Sequence, residues 1–215
     1  MSIQKTYWDL LLEATQKALE KHYFAVSRHE TLGEATSFLA EELAGPEIGS
    51  VGFGGSASVG NSDLMAKLKA KPHLKIIDRN NHEASPAERQ EMSRQCLLAD
   101  LFVASANAVT LTGEVVNLDK FGNRVAAIAF GPKKVALLVG REKIRSDLTE
   151  AKNRVKNLAS PMNALRLKLP TPCSKTGHCH DCQGETRICG VWQVVERSFP
   201  KGRIHILLVN EEIGF

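Results

Sequence analysis

Apolar residues open the chain at steps of four and three, Ile3, Tyr7, Leu11, Ala14 and Ala18, with Glu13, Lys17 and Lys21 between them. This spacing predicts an amphipathic first helix with that stripe turned inward. A short strand is expected over Phe24 to Ser27. Thr31-Leu-Gly-Glu34 has the form of a capping box and predicts a second helix running through Leu43. Ser50 to Phe53 reads as a buried strand, Gly54 to Gly60 as a loop, Asn61 to Lys69 as a helix and Lys75 to Asp78 as a strand. Ser85 before Pro86 marks the start of a helix to Leu98, followed by a strand over Leu101 to Ala104. The repeating order is βαβ, which predicts a parallel sheet.

From Ala108 to Phe130 the pattern turns β-branched and alternating, with turn signals at Thr112-Gly113 and Asp119 to Asn123, and predicts an antiparallel excursion. Val135 to Val139 returns to a buried strand. Asp147 to Leu158 predicts a helix with Leu148, Val155 and Leu158 on its apolar side. Beyond Pro161 the chain becomes rich in proline, cysteine and glycine, then ends in two strand candidates, Val191 to Glu196 and Arg203 to Val209. The fold class expected is α/β: a single domain over 1–215 with a cysteine-rich insertion at about 171–190, too short to stand alone.

Composition narrows the functions available. With 43% hydrophobic residues in 215, a sizeable core is possible. The net charge of +4 is spread among interspersed acids and bases, which argues against nucleic acid as a partner. No apolar run approaches the roughly 18 residues of a membrane-crossing helix. Residues 1–21 are polar and amphipathic and lack the apolar core of a secretory signal, so the expected compartment is the cytoplasm.

Two stretches suggest a ligand site. Gly52-Phe-Gly-Gly-Ser-Ala-Ser-Val-Gly60 lies between a strand and a helix, where small residues let backbone N–H groups approach an anion. Its candidate ligand residues are Gly54, Gly55, Ser56, Ser58 and Gly60; the competing reading is a tight structural turn, because the spacing matches neither a P-loop nor a dinucleotide fingerprint. Thr112-Gly-Glu-Val-Val-Asn-Leu-Asp119 and Gly122-Asn-Arg124 add Thr112, Gly113, Asn117, Asn123 and Arg124 as polar groups able to face a cleft. Against this, Asp119 to Asn123 reads equally well as a plain turn with a solvated arginine. Glu114 is the one carboxylate placed in a candidate cleft, and the sequence gives it no partner.

The strongest chemical signal is Cys173-x5-Cys179-x2-Cys182-x6-Cys189. Clustered thiols in a chain without a secretory signal point to metal. Only one Cys-x2-Cys knuckle is present, whereas a four-cysteine zinc site usually has two, so an iron-sulfur cluster is expected, 4Fe-4S in kind, with zinc as the alternative and free thiols or a disulfide as the remaining case. His178 and His180 lie inside the motif, and Lys175 and Arg187 could offset thiolate charge. Cys96, beside Leu97 and Leu98, is expected to be a buried structural thiol.

Thr112-Gly-Glu-Val-Val-Asn-Leu-Asp, Phe121-Gly-Asn-Arg-Val-Ala-Ala-Ile-Ala-Phe-Gly-Pro132, Ala159-Ser-Pro-Met-Asn-Ala164 and Thr171-Pro-Cys173 resemble the lactate-utilisation (LUD) domain family, in its subgroup with a C-terminal cysteine motif. The resemblance runs from about Tyr7 to Phe215. It implies a three-layer, mainly parallel sheet flanked by helices, similar to the ribose-phosphate isomerase, glucosamine-phosphate deaminase and CoA-transferase fold. It also implies a role in bacterial oxidation of L-lactate, or a similar 2-hydroxy acid, to pyruvate beside iron-sulfur and electron-transfer partners. The CoA-transferase glutamate does not carry over, because Glu114 is not in that motif. Two rivals stand beside an iron-sulfur redox subunit: a stand-alone enzyme for a sugar phosphate or acyl-CoA with a structural zinc, and a non-catalytic redox or metal sensor or assembly factor.

Overall fold

The computed structural model describes residues 2–79 and 83–215. In chain order its elements are α1 (Ile3–Lys21), β1 (Ala25–His29), α2 (Leu32–Phe38), β2 (Ser50–Phe53), α3 (Ala57–Gly60), α4 (Leu64–Lys69) and β3 (Lys75–Ile77). Then come α5 (Pro86–Gln95), β4 (Leu101–Ala104), β5 (Ala108–Thr110), β6 (Val115–Asp119), α6 (Asn123–Ala129), β7 (Lys134–Gly140) and β8 (Ile144–Arg145). The remainder is α7 (Leu148–Arg154), α8 (Ser160–Arg166), α9 (Pro172–Thr176), β9 (Val191–Val195) and β10 (Ile204–Val209).

Six strands form one parallel sheet in the order β1-β10-β7-β4-β2-β3. Its central strands are apolar on both faces, as a sheet covered on both sides requires. Leu137 and Ile206 pack toward α1 and α6 with Leu12, Leu19 and Ile128, while Leu138 and Leu207 pack toward α2 and α4 with Leu39, Leu64 and Leu68. Each of these side chains is fully or almost fully buried, which stabilises the fold by about 1.5–3 kcal/mol apiece. The result is the three-layer α/β architecture expected. The antiparallel excursion is also present as a second sheet, β8-β5-β6-β9, in which β6 pairs antiparallel with both β5 and β9.

Four local expectations are corrected. In α1 the buried positions are Leu12, Thr15 and Leu19, while Ile3 and Tyr7 are exposed and Ala14 faces solvent; the larger leucines take the inner face and rotate the helix by about one residue. Residues 123–129 form α6 rather than strand, because the Asp119 carboxylate accepts from the N–H groups of Arg124 and Val125 and starts a helix that buries Val125, Ala127 and Ile128. Pro161 does not end the helical run: a wider π turn, Val155–Ala159, joins α7 to α8 and accommodates the proline in the first turn of α8. The extra residue in that turn rotates the phase, so Leu148 and Val155 pack inward and Leu158 is 41% exposed. Lastly, the glycine loop is shorter than expected, since Ala57–Gly60 is already one helical turn and the next helix starts at Leu64.

Candidate functional site

The carboxyl ends of β2, β4 and β7 open into a cleft of about 1130 Å³. Strand β2 is followed in space by β3 on one side and β4 on the other, so the cleft sits where the winding of the sheet reverses, the usual ligand position in open α/β sheets. Gly54, just past β2, lies so close to its neighbours that a Cβ there would meet Ala104 Cβ at 3.0 Å and Phe102 Cζ at 3.1 Å. The chain can only pass here without a side chain.

Of the residues the sequence singled out, Gly54, Gly55, Ser56, Ser58, Gly60, Asn123 and Arg124 line this cleft together. The helix-terminus argument for the loop is not supported by the geometry: α3 is a single turn, and Ser56 Oγ already accepts from the N–H of Val59 at 3.3 Å. Positive side chains supply the attraction for an anion instead. Arg79, Arg89, Arg94, Lys120, Lys143 and Arg166 line the cleft with Arg124, against the carboxylates of Asp78 and Asp119.

Arg124 itself is a brace. Its Nε donates to Asp119 Oδ1 at 2.9 Å, Nη1 to the Ser105 carbonyl at 3.1 Å, and Nη2 to Asn107 Oδ1 at 2.7 Å and the Leu118 carbonyl at 3.2 Å. The solvated-flank reading therefore fails, and so does the idea of a guanidinium free for ligand. With the Asn123 carboxamide set in the orientation that satisfies both its ends, its oxygen accepts from Arg79 Nη1 at 2.7 Å and from the N–H of Arg124 at 3.3 Å. Asn117 is fully buried, and its Oδ1 accepts from the N–H of Asn107 at 3.2 Å; it supports the loop after β4 and does not line the cleft.

Thr112, Gly113 and Glu114 also lie elsewhere, at the β5–β6 hairpin turn against α1, where a Cβ on Gly113 would approach the Ala18 carbonyl oxygen at 2.8 Å. Burial works to raise the Glu114 carboxyl, but hydrogen bonds from the Thr110 and Thr112 hydroxyls outweigh it and hold the group below the usual carboxylate range. It serves as an acceptor that closes the turn. It has no route to the cleft as a general base.

The four cysteines of the C-terminal motif form a lobe against α7 and α8, and none is in a disulfide. Cys173 is buried with Ala164 and Ile188, and Cys189 packs against the same group. Cys179 Sγ accepts from the N–H of Asp181 at 3.3 Å, and the Cys182 carbonyl accepts from Arg187 Nη1 at 2.5 Å. Burial pushes the Cys189 thiol up, opposed by Ser160 and by the charges of Lys156 and Arg187. Lys156, paired with Asp181 at 2.6 Å and drawn upward by it and by Cys179 and Cys189, stands where Lys175 was expected; Lys175 is exposed. His178 and His180 are exposed, with their rings 4.4 Å apart. Among the described residues no three His, Cys, Asp or Glu side chains are close enough to hold one metal ion as they stand. Cys96 is 2% exposed beneath Gly52, and burial raises its thiol, in keeping with a structural role.

Lobe and cleft share a wall. Ser160, Asn163, Arg166, Leu169 and Ile188 line the cleft, while Ile188 packs on Cys173 with Cys189 against the same group, and Ser160 acts on the Cys189 thiol to oppose its upward shift. The sequence reading missed Arg79, Ser105, Asp119 as a cap, and Lys143. Arg79, Ser105 and Lys143 each follow the end of a parallel strand by one to three residues, and that position was the available signal.

No helix among the described residues is long and apolar enough to cross a membrane. The fold is similar to the crystal structure of a DUF162 family protein from Deinococcus radiodurans, at 14% identity and a TM-score of 0.49, covering 94% of this chain and 98% of the other. No curated protein matches the chain. The model of the LUD domain matches residues 12–209, from within α1 to the last residue of β10, so that both sheets, the cysteine lobe and all of the cleft lining but Phe215 fall inside it: the chain belongs to the LUD domain family, which is associated with lactate utilisation.

Proposed function

We propose that this protein is an iron-sulfur component in the oxidation of L-lactate, or a similar 2-hydroxy acid, to pyruvate, working with electron-transfer partner proteins. The observation that carries the reading is the shared wall: a cationic cleft suited to a small carboxylate backs onto the lobe of four free thiols through Ile188, against which Cys173 and Cys189 pack. The donor set fits a thiolate-held centre in kind, since Cys173, Cys179, Cys182 and Cys189 occupy one lobe and Lys156 and Arg187 offset their charge. These four cysteines would hold the cluster, with their sulfurs drawing together around it. When bound, it would supply a one-electron relay toward a partner. The chain's own contribution is to attract the carboxylate through the arginines of the cleft and to orient it between the glycine loop and α8.

Anaerobic purification followed by iron, zinc and acid-labile sulfide analysis, with the visible spectrum alongside, tests this directly. Iron with sulfide and a brown chromophore are expected, lost in Cys179→Ser and Cys182→Ser. Colourless protein with one zinc would overturn the redox reading. The size of the cleft favours a second reading in that case, because about 1130 Å³ is far more than a three-carbon acid fills: a stand-alone enzyme for a sugar phosphate or acyl-CoA, with zinc closing the lobe and turnover without partners.

A further inference from the structure

We propose that Lys143 is the anion-binding residue of the cleft floor, and that a 2-oxo or 2-hydroxy carboxylate seats against it with uptake of one proton by the lysine amine. The assignment rests on the reading of the cleft as a site for small carboxylates and adds to it the residue and the proton.

Lys143 follows β7 and is 1% exposed. Its Nζ donates to Ser58 Oγ at 2.8 Å and Ser105 Oγ at 2.7 Å, and Ser105 passes its own hydrogen to the Leu138 carbonyl at 2.6 Å. Both partners of the amine are neutral hydroxyls. Among the described residues it forms no ion pair, which is rare for a buried lysine.

The charged groups facing it come from three elements. Arg124 of α6 is matched by Asp119. Arg154 of α7 donates to the carbonyls of Glu142 and Asn107, and its Nη2 has no partner. Glu142, beside Lys143 in the chain, has both carboxylate oxygens buried with no side-chain partner, and burial raises it toward the neutral form against the pull of Lys143, of the Glu142 and Ile213 backbone and of Arg154. A protonated Lys143 therefore adds a cation to a floor already short of negative charge. Burial, with the charges of Arg154 and Arg124 against the pull of Glu142, pushes the amine down to about 7. Without ligand the neutral amine is favoured above neutrality; an arriving carboxylate is the missing counter-charge and restores the ammonium. The proton comes from solvent, and no bond to carbon changes.

A lysine acting only as a strut between Ser58 and Ser105 would show no such linkage. Calorimetric titration of the full-length, anaerobically purified protein with pyruvate, in two buffers of different ionisation enthalpy, separates the cases. Uptake close to one proton per pyruvate is expected at pH 8 and close to none at pH 5.5, with affinity falling about tenfold per pH unit above neutrality. Lys143→Arg keeps a fixed charge and should bind with no proton uptake; Lys143→Met should weaken binding at least about tenfold. Heats that do not depend on the buffer overturn the role of Lys143 while leaving the cleft as a carboxylate site, and so does full affinity in folded Lys143→Met. Absence of any pyruvate or L-lactate binding overturns the carboxylate reading and this assignment with it.

Discussion

Asp119 holds two things at once. Its carboxylate pairs with Arg124 Nη2 at 2.8 Å and accepts from the backbone at the start of α6, and both partners of the pair are about nine-tenths buried. Removing one member of such a pair leaves a buried charge without compensation. Asp119→Ala is therefore expected to cost about 3–5 kcal/mol in urea unfolding; a loss under about 1 kcal/mol would mean water reaches the guanidinium. A second residue sets an acid limit. His205 lies partly buried with its Nε2 on Ser27 Oγ, and burial, helped by the neighbouring His29, pushes its pKa from 6.5 down to about 4. The unfolded chain takes up the proton first, so this contribution is complete above pH 6.5, falls as pH drops toward 4, and levels off below. The loss amounts to about 2–3 kcal/mol, allowing for the partly wet ring. His205→Gln should flatten the fall in a series of pH-dependent melts; an unchanged slope would show that other groups set it.

Elements were legible where their start is written locally. Ser85, Pro86 and Glu88 form the full capping box at α5, Thr31 caps α2, and β2 falls on Ser50–Phe53 as read. They were illegible where one residue acts across a turn. Nothing in residues 123–129 alone announces a helix, because its cap is Asp119, and the π turn before Pro161 shows in sequence only as a helix that ought to stop. The hairpin between β5 and β6 offers a test of contact between elements. Gly113 has φ +98°, and any Cβ would press on the Ala18 carbonyl of α1. Gly113→Ala should destabilise by at least about 2 kcal/mol, from backbone strain plus displacement of α1, seen as a lower midpoint in denaturant. Retention of the wild-type midpoint would mean the hairpin and α1 move apart freely.

At the scale of the whole molecule, the layered α/β architecture could be read from the sequence because strand order and burial on both faces leave repeated traces. The cleft could be read only in part. Its lining charges come from the ends of separate strands and from α5 and α8, as far apart as Arg79 and Arg166, and only folding brings them together. Ser56→Asp tests the assembled field, since aspartate caps a helix as well as serine does but adds a negative charge to the cleft. Pyruvate affinity should fall at least about fivefold with stability unchanged; equal affinity would place the anion away from the glycine loop. The two large cores do not include any cysteine of the lobe, so Cys179→Ser should leave the melting of the α/β body within a few degrees of wild type while the lobe becomes sensitive to protease. The common wall of lobe and cleft then has a practical reach. On the proposed iron-sulfur reading, stripping the cluster from the thiols would slacken Ile188 and α8, so a ligand offered to air-exposed protein would meet a vessel with one side unlatched. If the proposed cluster is found, screens for the natural ligand belong in the glove box, and the colour of the sample can serve as the gauge of whether the vessel is shut.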